Sequence, residues 1–481
     1  MKQPRVTLIE LPPTSFGKLD GKRVSDIYTR CNLPARANPL LHAILLKHEY
    51  KDIQSIDPNL NGNGSKLTRK NLERIVSSDY LLLSAITRTI PQTRELAFEY
   101  KKTNHNGIII AGGPHVTFLP EETLEWADVI VNYEGDETLP ELLFNLENKG
   151  SPEGTRGVSY KINGNVIHEP DRELLSEKKL SYLPFPVYSL NQKTIDVVTT
   201  SRGCPYGCDF CSVTRFCGGE YRRRTNDSVM NELRQKKQRM VFFGDDNFAS
   251  KKQETKELLQ RIIDEGLNNR DYSSQMSINA AFNGREIDEE FLELYKRVGG
   301  FGVCVGFESS NPETLKLIGK AATVDRNDKS AKAFRKFGIW VHGMMIVGED
   351  TDTKESLDET LIWCRENLDS VQLFAPVPLP GTDFTAEMKQ QGRILTNNYN
   401  LYDGFHVLVE PKNFSPYELQ MKIIDMHKDF YSLKPRNWKN ILSSSHLGYK
   451  FGINTYAKKI IYDILHEPQT IQHFNFLRKI S

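Results

Sequence analysis

The sequence carries no excess of either charge, no long apolar run and few cysteines. Lys and Arg total 63 against 62 Asp and Glu, a formal net charge of +1. That balance excludes a chain drawn to nucleic acid or to an anionic membrane by bulk charge. No apolar stretch approaches the roughly 18 residues of a membrane helix. The opening MKQPRVTLIELPP holds one short apolar run closed by prolines, which reads as a first strand and not a signal peptide. A cytoplasmic location is expected, where thiols stay reduced, so clustered cysteines point to metal ligation or catalysis rather than to disulfides. Internal repeats and low-complexity segments are missing too; the nearest is NLNGNGSK (59–66), which reads as a surface loop.

What is present suits a globular protein of two or three domains: 481 residues, 38% hydrophobic and 26% charged, too long for one core. In the first third, VTLIEL (6–11), IQSID (53–57), YLLLSAI (80–86), GIIIAGG (107–113) and DVIVNYEG (128–135) read as strands separated by helical patterns. The alternation predicts an α/β doubly wound, Rossmann/flavodoxin-like sheet over residues 1–150. Such sheets bind ligands at the carboxyl ends of their strands. Those ends read ELPPTSFG, SAITRT, AGGPHVT and YEGDET, which singles out Ser84, Gly112, Gly113, His115, Glu134 and Gly135. Residues 151–193 carry an Asn-Gly hairpin signal in KINGNVI and two close prolines, and read as a linker. Over 194–395 the alternation resumes as six β/α units, a partial (β/α)6 barrel of TIM type, whose active site belongs at the C-terminal ends of its strands. Residues 396–481, with SPYELQMKIIDMHKDFYSL and NTYAKKIIYDILHE, read as a small helical C-terminal domain.

Three cysteines, Cys204, Cys208 and Cys211, stand together in TSRGCPYGCDFC (200–211), just after the first barrel strand. Thiolates are soft ligands suited to zinc or iron–sulfur clusters. A closed zinc site wants four ligands, usually as two pairs, and there is no second C-x2-C pair. Three thiolates hold three irons of a [4Fe–4S] cluster and leave the fourth open to a non-protein ligand. GCPYGCDFC resembles the C-x3-C-x2-C signature of the radical S-adenosylmethionine enzymes, including the aromatic Phe210 before the last cysteine. The resemblance implies that the open iron chelates the amino and carboxylate groups of S-adenosylmethionine, and that one electron cleaves the sulfonium to methionine and a 5′-deoxyadenosyl radical.

The same resemblance extends to further positions. Gly244, Asp245 and Asp246 in FFGDDNF stand where the family often reads Gly-Gly-Glu, which implies contact with the methionyl amino group or a substrate ammonium. Ser277 and Asn279 in SIN match the position that holds the ribose, and Glu308 in VGFES resembles a GIES pattern with a polar contact to the cofactor. MMIVGEDTDT resembles a strand ending in GxPGET but lacks the Pro-Gly. For each acid a helix N-cap or a solvated loop is the alternative. Arg222, Arg223 and Arg224 resemble a YRxR segment that meets carboxylate or phosphate; a solvated basic run is the alternative.

IIIAGGPHVTFLPEETL and ADVIVNYEGDETLPELL, with LPFPVYSL before the cysteines, resemble the cobalamin-binding domain joined to many radical enzymes, so the likeness covers residues 1–395. The Gly112–Gly113 turn lets backbone approach a bulky ligand, and the helix start after it suits phosphate or amide groups. No D-x-H-x-x-G motif supplies a cobalt-ligating histidine, and His115 is expected to contact backbone or the corrin periphery. Cys31, Cys217, Cys304 and Cys364 are scattered, so no auxiliary cluster is expected, and a single cysteine in the first domain argues against a methylthiotransferase. The expectation is an enzyme with a [4Fe–4S] cluster, S-adenosylmethionine and cobalamin that methylates an unactivated carbon of a small molecule or lipid, fed by a reductase such as flavodoxin or ferredoxin. The alternatives are a non-methylating oxidoreductase or cyclase, such as an oxidative ring former or ring contractor, a radical enzyme whose first domain binds no cobalamin, or a cobalamin-binding sensor, which has no need of the cysteine triad. YDGFHVLVEPKNFSPYEL is similar to the tail of radical enzymes that include hopanoid-type lipid methylases, which makes Tyr402, Asp403 and His406 candidates for substrate contact.

Overall fold

The computed structural model describes residues 3–12, 34–58, 67–188, 195–318, 322–432, 457–458, 461–462 and 465–481. The loop read at 59–66, Cys31, most of ELPPTSFG and half of the helix read at 454–467 lie outside the described residues. The chain forms two compact units, Met1–Ile195 and Asp196–Ser481.

In the first unit β1 (Val6–Glu10), β2 (Ile53–Ile56), β3 (Tyr80–Ser84), β4 (Ile108–Gly112) and β5 (Val129–Val131) pair in parallel in the order β2-β1-β3-β4-β5. VTLIE and YLLLS are almost continuously buried, as strands covered on both faces must be. The strand order reverses between β1 and β3, the switch point at which such sheets open a ligand crevice. Register sets Glu10 opposite Ser84, Ser84 opposite Gly112 and Gly112 opposite Val131, so the carboxyl ends form one row.

The hairpin read as part of a linker belongs to this sheet. β6 (Val158–Ile162) pairs antiparallel with β5, and β7 (Asn165–His168) with β6. Asn163 and Gly164 take positive φ values of 51° and 83° at its turn, as a two-residue hairpin loop requires. Val158 and Tyr160 bury into the first unit's core, which draws the hairpin onto the open edge of β5.

In the second unit β8 (Ile195–Val198), β11 (Met240–Phe243), β12 (Asp271–Ser277), β15 (Gly300–Glu308), β16 (Trp340–Ile346) and β17 (Ser370–Phe374) lie side by side in chain order. The pairs from β11 to β17 are parallel. Short ladders flank them: β9 (Ser201–Arg202) with β10 (Arg222–Arg223), and β13 (Phe282–Asn283) with β14 (Glu286–Ile287). This is the expected six-unit partial barrel. Helices Lys252–Asp264, Glu289–Arg297, Val324–Lys336 and Lys354–Asn367 form the crossovers.

The described part of the C-terminal segment packs into the barrel core. Leu419, Ile423, Met426 and Phe430 of helix Pro416–Phe430, with Leu477, join the same buried cluster as Val371 and Leu373 of β17. Tyr431 Oη accepts from Val371 N at 2.9 Å and donates to Val371 O at 2.6 Å, and His427 Nε2 accepts from Leu373 N at 3.2 Å. The last strand's backbone groups are thus satisfied by side chains.

Candidate functional site

The three cysteines occupy the loop between β9 and helix Ser212–Phe216, and each is half-buried. The loop is built by its neighbours. Gly203 has φ +82°, and a Cβ there would stand 2.1 Å from the Glu220 carbonyl oxygen, so only glycine opens the turn into Cys204. Gly203 N donates to Asp246 Oδ2 at 3.0 Å, beyond the end of β11. Cys211 N donates to Cys208 O at 3.2 Å, and Thr214 Oγ1 to Tyr206 O at 2.9 Å.

Two asparagines clamp the loop from the neighbouring strand ends. Asn247, 2% exposed, accepts from Ser277 N at 3.1 Å through Oδ1, which turns its amide nitrogen toward Cys204 Sγ at 3.9 Å. Asn279 Nδ2 donates to Tyr206 Oη at 2.8 Å, while its Oδ1 accepts from Arg326 Nε at 2.8 Å. Ser277 Oγ reaches the same tyrosine oxygen at 3.5 Å. Asn279 therefore ties the cysteine loop through Tyr206 to Arg326 of the helix Val324–Lys336.

Burial pushes the Cys204 thiol up, with the Tyr206 backbone and Asn247 opposing and Cys211 and Asp246 adding. Burial also raises Cys211, opposed by the Val213 and Thr214 backbone and reinforced by Asp246 and Glu308. Asp246 and Glu308 are thus brought to the cysteine loop. Glu308 has φ +62°, where β15 slips register against β16 between Gly306 and Glu308. A non-glycine residue held there stores strain, a frequent mark of a functional position.

Other candidates have partners of their own. Asp245, 3% exposed, accepts from Thr200 N and Thr200 Oγ1, both at 2.9 Å, and from Ser201 Oγ. It staples the end of β8 to β11, being neither a helix cap nor a solvated acid, and Gly244 N completes that joint by donating to Val198 O at 2.9 Å. Phe210 packs against Phe384, Met388 and Val409. The arginine run is buried rather than solvated: Arg222 and Arg223 are 5% and 6% exposed, Arg224 pairs with Glu232 at 2.6 Å, and Arg223 donates to Asn226 Oδ1 at 2.8 Å and Glu254 O at 3.2 Å. Tyr402 Oη donates to Thr396 O at 3.0 Å. Asp403 accepts from Phe405 N and His406 Nδ1, and His406 Nε2 meets Thr470 Oγ1 at 2.9 Å, a buried network inside the C-terminal segment.

In the first unit the row Glu10, Ser84, Gly112 ends the strands beside the switch point. Gly113 has φ +116°, and a Cβ there would meet Ala85 O at 2.4 Å, so β3 and β4 end in closely apposed backbone. His115, by contrast, is 1% exposed, with Nε2 facing Glu122 at 3.7 Å. Glu134 binds inward as well, accepting from Leu175 N at 2.8 Å. Gly135 has room for a Cβ, its nearest neighbours being at 3.5 and 3.6 Å, so sterics do not require glycine there. Glu10 escaped the sequence reading. Burial, then the Asp57 carboxylate, push its acid up to about 7, with Arg36 opposing. Asn247 and Tyr206 escaped it too; the only signal was a polar residue beside each cysteine or strand end.

Both groups of residues fit the cofactors the motifs imply. Three soft donors in one half-buried loop suit a cluster with one open iron. An edge of small residues, Ser84, Ala85, Gly112 and Gly113, puts no bulky side chain on the ends of β3 and β4, as a bulky ring ligand at the switch point requires. Among the described residues no helix is long and apolar enough to cross a membrane.

The Radical SAM superfamily profile matches residues 198–364, and the B12 binding domain profile matches residues 48–143. An uncharacterized methyltransferase of Pyrococcus horikoshii is 28% identical over 414 residues, 82% of this chain and 88% of its own length. The anaerobic magnesium-protoporphyrin IX monomethyl ester cyclase of Cereibacter sphaeroides is 26% identical over 417 residues, 81% of this chain and 66% of the cyclase. Among solved structures, the cobalamin-dependent S-adenosylmethionine radical enzyme OxsB, with aqua-cobalamin and S-adenosylmethionine bound, has a TM-score of 0.67 at 17% identity over 99% of this chain and 75% of its own, a likeness of fold. Both profiles in this order, and a thiol loop at the end of the first barrel strand, lead to one conclusion: the chain belongs to the cobalamin-binding radical S-adenosylmethionine enzymes.

Proposed function

We propose that the chain methylates an unactivated carbon of a small molecule or lipid. The observation that carries this reading is the half-buried C-x3-C-x2-C loop in a chain whose first unit matches a B12 binding domain. When bound, the cluster supplies the electron that cleaves the sulfonium of S-adenosylmethionine, and cobalamin supplies the methyl group. Cys204, Cys208 and Cys211 hold the cluster and leave one iron for the cosubstrate. Asp246 and Glu308 offer carboxylates beside that loop to an ammonium. Asn247, Asn279 and Tyr206 hold the loop in place. Ser84, Gly112 and Gly113 receive the corrinoid at the switch point of the first sheet. A cytoplasmic reductase of the flavodoxin or ferredoxin kind completes the system.

The test is oxygen-free purification from cobalamin-fed cells, iron–sulfide reconstitution, and measurement of iron and cobalamin per chain. Near-stoichiometric cobalamin, with a cluster signal lost in the Cys204→Ala/Cys208→Ala/Cys211→Ala variant, is the expected result. An intact cluster without cobalamin overturns the methylating reading. The cyclase relative favours a second reading, a ring-forming reaction without methyl transfer. Label from methyl-labelled S-adenosylmethionine entering an organic product decides for methylation; sulfonium cleavage without it decides for the second reading.

A further inference from the structure

Two cations of the second unit stand where helix electrostatics disfavour them. Lys252 opens the helix Lys252–Asp264, and Arg326 is the third residue of the helix Val324–Lys336. A helix N-terminus carries partial positive charge and favours acids. Thr323 caps the second helix by accepting from Arg326 N at 3.2 Å, and a Glu or Gln at position 326 would complete a capping box. An arginine there serves something other than its own helix.

Both cations reach one short segment just past the end of β12. Lys252 Nζ donates to Asn279 O at 3.3 Å and to Phe282 O at 2.9 Å. Arg326 Nε donates to Asn279 Oδ1 at 2.8 Å, Nη2 donates to Gly284 O at 3.2 Å, and the guanidinium lies 3.9 Å from the centre of the Phe282 ring. A guanidinium only donates, so the carbonyl end of the Asn279 amide must face Arg326. The amide nitrogen is then aimed at Tyr206 Oη, 2.8 Å away. Arg326 thereby fixes which end of the amide the tyrosine meets. Beyond Tyr206 lies the first cysteine of the loop, for the Tyr206 backbone hydrogen-bonds the Cys204 thiol.

We propose that Arg326 is a positioning residue for the iron–sulfur loop, aiming Tyr206 through Asn279 and holding Cys204 through Tyr206. Without the guanidinium the Asn279 amide is free to turn over, Tyr206 loses its fixed partner, and the backbone bond to Cys204 loosens. Hydrogen bonds to the sulfurs help set a cluster's potential, so a side chain on a distant helix bears on the electron that the cluster passes on. The inference rests on the proposed role of the three cysteines as cluster ligands.

The test compares wild type, Arg326→Leu, Tyr206→Phe and the double variant by two readings. In the apo full chain, iodoacetamide labelling of Cys204 is timed by peptide mass spectrometry. Each single variant is expected to label several-fold faster than wild type, and the double variant to match Tyr206→Phe. Cys364, fully buried in the barrel core, stays unlabelled where the chain is folded. In the reconstituted chain, the cluster's midpoint potential is expected to fall in Arg326→Leu, with the double variant again matching Tyr206→Phe. Additive effects in the double variant show the Arg326 charge acting through space and overturn the proposal. Wild-type labelling and potential in Arg326→Leu leave an arginine that only packs on Phe282, and faster labelling with an unchanged potential leaves a structural latch; each overturns it too. Iron and sulfide content of the same samples tests the cluster reading separately. A wild type that takes up no iron refutes that reading, and the labelling rates still decide whether Arg326 acts through Tyr206.

Discussion

Gly203→Ala is the sharpest single perturbation of the cysteine loop. At φ +82° a side chain is strained by about 1–3 kcal/mol before any contact is considered. Its Cβ would also fall 2.1 Å from the Glu220 carbonyl oxygen and 3.0 Å from Cys217 Cβ, so the backbone must move by about 1 Å. That movement pulls Gly203 N from Asp246, a charge-assisted hydrogen bond, and carries Cys204 with it. The combined cost is on the order of 2–4 kcal/mol, which lowers the melting temperature of a unit this size by on the order of 5–10 °C. The assay pairs thermal melting of the apo chain with iron and sulfide content after identical reconstitution. Gly207→Ala in the same loop is the control: its Cβ meets nothing within 4 Å and its φ is not positive, so melting and iron uptake stay at wild-type values. Should Gly203→Ala melt with wild type and take up the same iron, the claim that this turn sets the loop's geometry is refuted.

Three further outcomes are expected. Asn247→Leu removes the N–H facing Cys204 Sγ and lowers the cluster's midpoint potential in a redox titration followed by electron paramagnetic resonance; an unchanged potential removes Asn247 from the cluster's surroundings. Arg224→Leu leaves Glu232, 1% exposed, with only Lys236 and destabilises the barrel by about 3 kcal/mol in denaturant unfolding, more than an exposed-arginine control such as Arg239→Leu. Glu349 holds its proton in the folded chain up to about pH 8 against an ordinary 4.5, so its contribution is complete below 4.5 and is lost as pH rises through 8. Wild type therefore loses more stability than Glu349→Gln between pH 5.5 and 8, and parallel melting curves would contradict the assignment.

The β/α alternation was legible because strands covered on both faces must be apolar throughout, and the cluster was legible because three thiols in one loop have few other uses. What stayed hidden depends on register and on which surfaces meet. Asn163-Gly164 announces a turn, yet nothing local says that the hairpin will extend the first sheet through β5. The 3.6-residue pattern of Pro416–Phe430 predicts a helix with one apolar face, without saying that this face completes the barrel core. Asp245 and Asp246 are adjacent and chemically equal, but one points back to Thr200 and Ser201 and the other to Gly203. The partners of Asn279, Tyr206 and Arg326, were hidden because they come from distant parts of the sequence.

Backbone strain sorts these positions in a way side-chain chemistry does not. Among the described residues four that are not glycine have positive φ: Glu49, Tyr133, Asn163 and Glu308. Glu49 follows a helix end and Asn163 makes a hairpin turn, settings in which left-handed residues are routine. Tyr133 and Glu308 stand instead at or just past the carboxyl ends of parallel strands, β5 and β15. Each carries on the order of 1–3 kcal/mol of strain that glycine would relieve. A side chain kept there at that cost is kept for its direction. For Glu308 the direction is read electrostatically, since its carboxylate acts on Cys211. In Tyr133 the backbone N donates to Thr117 Oγ1 at 3.0 Å, tying the end of β5 to the helix that follows Gly113. In each unit, then, strain gathers where the parallel strands end, the same edge on which the cysteine loop and the Ser84–Gly112 row are found.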